Sequence, residues 1–461
     1  MMDGMVIDCF AGGGGASQGI EDALGRPCDI AVNHDPKAIA MHRANHPATK
    51  HLTEDIFEAN LKREVDGRSV SLMWASPDCT SHSRAKGGKP RESGLRMLPW
   101  AVHKHATDLK PDVVIMENVA EIQKWGPLDG EGKPVKSREG EEYRRFMDAM
   151  GEAGYEMECR ELVAADFGAP TTRRRWYAVL RRDGKRIAWP EQTNSDGGDL
   201  LHDPWVPASE CIDFSDFGRS IFDRPKPLAD ATMRRIARGV RKFVVDDPRP
   251  FLVSIGYGER PGQKPCIASV GEPLGTIVAQ GVKQYLCTPY IMKCFGGPNG
   301  KQPPGIRPDR PLGTVTATDH HALVTPFVTK FYGTSTGQRC DTPLHTITQS
   351  PGHFGLVSAF LTKYYGTGVG QRADAPLGTV TSVDRFGLVT VEIHGDTYAI
   401  GDIYLRMLKP EELKRAQGFP ESYVIDRYDD GSPVPVKQQV KMIGNSVVPV
   451  MARKLVEANA V

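Results

Sequence analysis

Between Met5 and about Arg182, short apolar runs alternate with amphipathic stretches, and this rhythm does most to limit what the chain can fold into. VID at 6–8, VSLMW at 70–74, VVIM at 113–116 and RWYAVL at 175–180 read as strands. One intervening helix is framed by Asp35 as its N-cap, Pro36 at its first position and Pro47 just past its end. Another places Leu98, Ala101, Val102, His105 and Leu109 on one face. Strands that alternate with helices build a sheet covered by those helices, so the expected class is α/β, a doubly wound and mostly parallel sheet.

After Pro190 the rhythm gives way to Pro, Gly and Thr, and an internal repeat emerges: PLGTIV at 273, PLGTVT at 311, PLHTIT at 343 and PLGTVT at 376. Three copies continue into a second strand and a glycine turn, YIMKCFG at 290, FVTKFYG at 327 and FLTKYYG at 360, while the fourth trails off as VEIHG. Short β-branched runs between Gly and Pro suit hairpins, and a period of roughly 33 to 38 residues suits a repeat array. Beyond about residue 400 the helical pattern returns in LKPEELKRAQG and VVPVMARKLVEA. The expected division is a catalytic and cofactor-binding domain over 1–190, an inserted β-rich domain over 191–398 with its repeats at about 250–395, and a segment 399–461 that completes the first domain.

Composition removes several classes. No apolar run approaches the roughly twenty residues a membrane helix needs, and no signal peptide opens the chain, so a cytoplasmic protein is expected. Nine cysteines without C-x-x-C pairs or Cys/His spacing suggest neither a disulfide framework nor a metal site. A net charge of +1 means that any nucleic-acid surface must be a local patch.

The chemistry gathers at strand ends. DCFAGGGGASQGIEDALG, residues 8–25, sets a strand, a glycine turn and a helix in succession; Gly12 and Gly14 would bring backbone close to a ligand over a helix N-terminus, in a cofactor turn that begins with Phe10 and Ala11. The next two strand ends carry Asn33, His34 and Asp35, then Asp55 and Ile56, where the polar groups could hold ribose or adenine, the lesser alternative being that Asp35 serves only as a cap. No lysine follows the glycines, which favours an adenosyl ligand over a triphosphate. ASPDCTSHS then places Cys79 in a polar turn with Arg84, Lys86 and Lys89 near it, the company a thiolate needs. Glu117 ends the following strand in MENV, and Arg173 and Arg175, two apart at the start of another, face the same way.

This ordered set resembles the cytosine-5 DNA methyltransferase family at both ends of the chain: FAGGGG, SPDC, ENV, the arginines at 173 and 175, RMLKPEELKRAQGFP and KMIGNSVVP. The resemblance implies S-adenosylmethionine as cofactor, held by the residues named above together with Asn445 and Ser446, and the S-adenosylmethionine-dependent methyltransferase sheet. It implies that Cys79 attacks carbon 6 of a cytosine flipped out of duplex DNA, that Glu117 shares a proton with ring nitrogen 3, that Arg175 holds the carbonyl oxygen, and that Arg173 supports the loop. Asp78, Thr80, Asn33 and Thr171 depart from the family pattern, which marks a divergent, phage-like subgroup.

The family's variable stretch reads DNA sequence, and here the repeats occupy that place. Their turns carry Lys264, Lys301, Arg339 and Arg372 for phosphate contacts, and the nucleophile loop adds Thr80 and Ser83 as further DNA contacts. The opposite turns, with His320, His321, His353, Phe354, Arg385 and Phe386, could reach base edges, and the basic stretch RRIARGVRKF at 234–243 could lie along the backbone. A solvated scaffold is the plain alternative. A monomer acting on double-stranded DNA, paired with a restriction enzyme or not, is the expectation. An RNA (tRNA) cytosine-5 methyltransferase and a catalytically silent DNA-binding regulator are the rivals; the long insertion argues against the first, and Cys79, Glu117 and Arg175 together against the second.

Overall fold

In a computed structural model of the chain, residues 3–78, 96–211 and 406–460 are described, with positions 213, 216 and 225 and the backbone of the strands between 219 and 405. The predicted apolar runs form strands: β1 (Met5–Cys9) leads into α1 (Gly15–Leu24), β2 (Ile30–Val32) into α2 (Pro36–Asn45), and β3 (Lys50–Leu52), β4 (Val70–Ala75) and β5 (Val113–Asn118) follow. With β6 (Glu156–Val163) and β7 (Arg174–Arg181) they make one seven-stranded sheet in the order β3-β2-β1-β4-β5-β7-β6. The first five strands are parallel, while β7 runs antiparallel to both of its neighbours, Glu117 pairing with Tyr177. That reversal turns the start of β7 toward the carboxyl end of β5.

Successive residues point to opposite faces of a strand, and two cores result. Ile7, Ile30, Met73 and Val114 enter one with Trp125, Phe146 and Trp176. Val6, Leu72, Trp74 and Ile115 enter the other with Ile20 of α1 and Met451, Leu455 and Val456 of the last helix, Pro449–Ala460. Burial on both faces explains why these strands read as unbroken apolar runs. Two glycines let α1 and the last helix close: a Cβ on Gly15 would stand 2.1 Å from the Val447 carbonyl oxygen, and one on Gly19 2.1 Å from that of Pro449. The C-terminal segment therefore packs directly on the helix that follows the glycine turn.

The passage to and from the insertion is tied by buried charge. Arg406 pairs with Glu412 at 2.8 Å and donates to the carbonyl oxygens of Asp213, at 2.6 Å, and Asp216; the amide of Asp213 donates to Glu412 at 2.9 Å. Within the insertion, strands 290–293, 321–330 and 354–363 lie side by side and antiparallel, followed by Asp396–Arg406. Each of the three is the same piece of its repeat. Phe327 pairs with Val357 and Val324 with Phe360, so two equivalent strands meet about a local two-fold axis between Thr325/Pro326 and Ser358/Ala359. Tyr290 pairs with Val324 in the same register. The four PLGT-type segments, Lys264, Lys301, Arg339, Arg372, His320, His353, Arg385 and residues 234–243 lie outside the described residues; His321 and Phe354 each open a strand.

Candidate active site

The glycine turn follows β1 with Phe10 and Gly12 both in the left-handed region, at φ 68° and 52°, a conformation that costs a non-glycine residue energy and marks Phe10 as held by its surroundings. The amide of Ala11 donates to the Val32 carbonyl at 3.0 Å and that of Gly14 to the Ala11 carbonyl at 2.9 Å, which locks the turn across the ends of β1 and β2. The glycines divide by what faces them. A Cβ on Gly12 would meet only the Phe10 carbonyl, at 3.7 Å, so this position is open to a ligand. At Gly14 it would stand 2.1 Å from the Tyr423 hydroxyl, so the close approach there is to the protein's own interior.

Beside the turn, Asp35 caps α2 by accepting from the Lys37 amide at 3.0 Å and also pairs with Lys441 at 3.1 Å. Burial works against its charge, yet the Lys441 hydrogen bond and the helix amides hold its carboxyl below the usual range. Asn33 accepts from the Asp35 amide at 2.8 Å, His34 is exposed, and exposed Asp55 accepts from the Phe57 amide at 2.8 Å next to buried Ile56. Ser446 is buried against Gly13, whose Cβ would lie 2.7 Å from its hydroxyl, and Asn445 ends the helix Val436–Asn445 with its side chain exposed. The strand-end cofactor residues expected from sequence thus share one sheet edge, and three of them, Asn33, Asp35 and Asp55, also build the local backbone. The open glycine and the strand-end polar groups suit an adenosyl ligand.

Cys79, Thr80 and Ser83 lie outside the described residues, but the chain leading to them does not. Asn118 donates to the Pro77 carbonyl at 3.1 Å, two residues before the cysteine, and the Ser76 amide donates to the Cys9 carbonyl at 3.3 Å. Asp78, the last described residue before the cysteine, is exposed. The ENV motif gives no sign of this tether, because Pro77 is 41 positions from Asn118.

Glu117 and Arg175 are both buried, and Arg175 Nε stands 3.1 Å from Glu117 Oε1. The contact is one of charges without hydrogen-bond alignment, and among the described residues neither atom has a hydrogen-bond partner. A buried acid oxygen and a buried guanidinium N–H so placed, in ionic contact but without a hydrogen bond, can both take up a third polar group. Arg173 is 4.0 Å from the same carboxylate oxygen and donates to the Gly444 carbonyl at 3.0 Å, so it joins the start of β7 to the C-terminal motif. Thr171, in the place of the family's usual glutamine, is fully buried and accepts from the Arg173 amide at 3.3 Å.

Beneath the turn runs a polar chain that no motif announced. Ser17 donates to Asp8 at 2.7 Å; with its one proton so used, it must accept from His42 Nε2 at 2.9 Å, and His42 Nδ1 then accepts from His51 Nε2 at 2.8 Å. Burial raises the Asp8 carboxyl to about 7, drives His42 well down and lowers His51 to about 4. These histidines bond to one another, and among the described residues no group of three or more His, Cys, Asp or Glu side chains is arranged to hold a metal ion.

Comparison with known proteins falls on the same parts of the chain. A family model described as C-5 cytosine-specific DNA methylase matches residues 4–201 and 375–459. Type II methyltransferase M1.HphI of Haemophilus parahaemolyticus is 30% identical over 213 residues, 44% of this chain and 54% of that protein. M.SacI of Streptomyces achromogenes is 29% identical over 214 residues, 41% and 51% of the two chains. The matches span about half the length of these relatives. A solved structure, a mutant of DNMT2 from Spodoptera frugiperda, covers 99% of each chain at 14% identity with a TM-score of 0.47.

Proposed function

Because the chain belongs to the C-5 cytosine-specific DNA methylase family, we propose that it is a DNA (cytosine-5)-methyltransferase that acts on a flipped cytosine in a short duplex sequence through a covalent Cys79 adduct. The observation that carries this reading is the pair of buried, unaligned groups on Glu117 and Arg175 beside the tethered approach to Cys79. A cytosine ring offers two polar atoms side by side, nitrogen 3 and the carbonyl oxygen, and these two groups match them.

In this mechanism the Cys79 thiolate adds to carbon 6, and the electron pair moves into the ring to make carbon 5 nucleophilic. Glu117 gives or shares a proton at nitrogen 3 as negative charge builds there, while Arg175 holds the carbonyl oxygen. Arg173, fixed by Gly444 and Thr171, keeps the start of β7 in place. S-adenosylmethionine, when bound by the glycine turn and the strand ends at Asn33–Asp35 and Asp55, supplies an electrophilic methyl group. Loss of the carbon 5 proton to a base then expels the thiolate and restores the ring. The target base must leave the stack, at a cost of a few kcal/mol.

Residues 1–190 with 399–461 would carry this chemistry and 191–398 would read the target, the protein working as a cytoplasmic monomer on double-stranded DNA, beside a cognate restriction enzyme where one is present. The test is expression in cells lacking cytosine methylation, with bisulfite-type sequencing of the genome and Cys79→Ser in parallel. Protected cytosines in one recurring context, absent with the variant, are expected. Soluble protein that binds S-adenosylmethionine and protects no cytosine would sink the DNA reading and turn attention to RNA.

A further inference from the structure

The glycine turn rests on a floor contributed by a distant part of the chain. Tyr423 is buried, and its hydroxyl donates to the Gly13 carbonyl at 2.7 Å. His46 Nε2 lies 3.4 Å from that hydroxyl, and a Cβ on Gly14 would stand 3.2 Å from the same nitrogen. Proton counting fixes the arrangement: His46 Nδ1 faces the Glu21 carboxylate at 2.9 Å and so carries the proton, which leaves Nε2 as an acceptor and the tyrosine with a single proton to give. The shorter contact, to Gly13, receives it.

Tyr423 is itself held from several sides. Lys414 donates to its carbonyl at 3.1 Å, Phe419 packs on its ring with centroids 4.5 Å apart, and the next residue is clamped to α2 by two bonds, Val424 N to Asn45 Oδ1 at 2.7 Å and Asn45 Nδ2 to Val424 O at 2.8 Å. A hydroxyl pinned this way dictates where its acceptor sits. A peptide plane is rigid, so fixing the Gly13 carbonyl also fixes the direction of the Gly14 amide on the same plane. With a left-handed residue on either side of Gly13, the turn has other conformations open to it once that anchor is gone.

We propose that Tyr423 is a positioning residue for the cofactor turn, holding the Gly12–Gly14 backbone in the shape that receives the adenosyl ligand. The inference rests on the reading of that turn as the S-adenosylmethionine site. Calorimetric titration of the full-length protein with S-adenosylmethionine and S-adenosylhomocysteine tests both. Wild type that binds neither removes the cofactor reading and this inference with it. If wild type binds, Tyr423→Phe, which deletes only the hydroxyl, is expected to raise both dissociation constants about tenfold while kcat at saturating cofactor stays within about twofold. An unchanged dissociation constant, whatever happens to the melting temperature, overturns the role. Should the variant fail to fold, hydrogen exchange on the wild type decides: cofactor is expected to slow exchange in a peptide spanning 420–426 together with one spanning 10–18, and protection of 10–18 alone overturns the proposal.

Discussion

At the scale of single residues, the buried Glu117 and Arg175 pair is where the proposed proton chemistry is tested. Glu117→Gln keeps the volume and removes the acid, so kcat for DNA methylation should fall by about 10²–10⁴, the usual worth of a positioned acid, with cofactor affinity unchanged. A rate within threefold of wild type would remove Glu117 from the proton's path. Asn118→Ala releases the Pro77 carbonyl and should cost about 1 kcal/mol of stability while lowering kcat more than tenfold, since it frees the approach to Cys79, the proposed nucleophile. Urea denaturation and single-turnover methylation separate the two effects. Of this site, Glu117, Arg173 and Arg175 were legible in the sequence as charges at strand ends, and the structure brings them together. Asn118, Tyr423 and the Asp8–Ser17–His42 chain were not, because each acts through a partner 9 to 410 positions away.

At the scale of elements, apolar runs located β1, β4, β5 and β7 to within a residue or two, and Asp35 with Pro36 marked the start of α2. β6 escaped because it is the edge strand: Glu156, Glu158, Arg160 and Glu161 break any apolar run, and the strand is only half covered. The direction of β7 was readable in principle. Only ten residues, 164–173, separate it from β6, fewer than a parallel crossover needs. The helix Val436–Asn445 went unread because only its last residues had drawn notice, as a motif. Helix packing carries a prediction whose sign is unusual. Gly→Ala in a helix interior ordinarily stabilises by about 1 kcal/mol, but at Gly19 the new Cβ would meet the Pro449 carbonyl at 2.1 Å and Ala452 at 2.7 Å. Gly19→Ala should therefore destabilise by about 1–3 kcal/mol in urea; a gain in stability would show that the last helix moves aside freely.

For the whole molecule, the buried histidine chain sets how stability responds to acid. His51 titrates at about 4 in the folded protein and at 6.5 when unfolded, so its contribution is complete above 6.5 and is lost as pH falls toward 4; His42 and His46, also lowered, act in the same direction. Asp8 opposes them, because its folded carboxyl keeps a proton up to about 7 and the unfolded one releases it near 3.8, which favours the fold as pH drops. His105, lowered by burial, adds to the loss and Asp166, raised by burial, to the gain, so that four histidines stand against two acids among the described residues and the net is a loss. The free energy of unfolding should fall between pH 7 and pH 5, less steeply in His51→Gln. A flat or rising profile would mean that Asp8 outweighs the histidines.

The local two-fold axis between neighbouring repeat strands has a consequence for how such an array can change in length. Each copy is turned end over end relative to the one before it. With the last copy held antiparallel to Asp396–Arg406, excising one copy from the gene would reverse the heading of the strand at the far edge of the array, and so the end from which the chain must enter it, whereas excising two in succession preserves both. The insertion can thus be shortened or lengthened most readily in even steps, a parity rule imposed by hydrogen-bond direction alone.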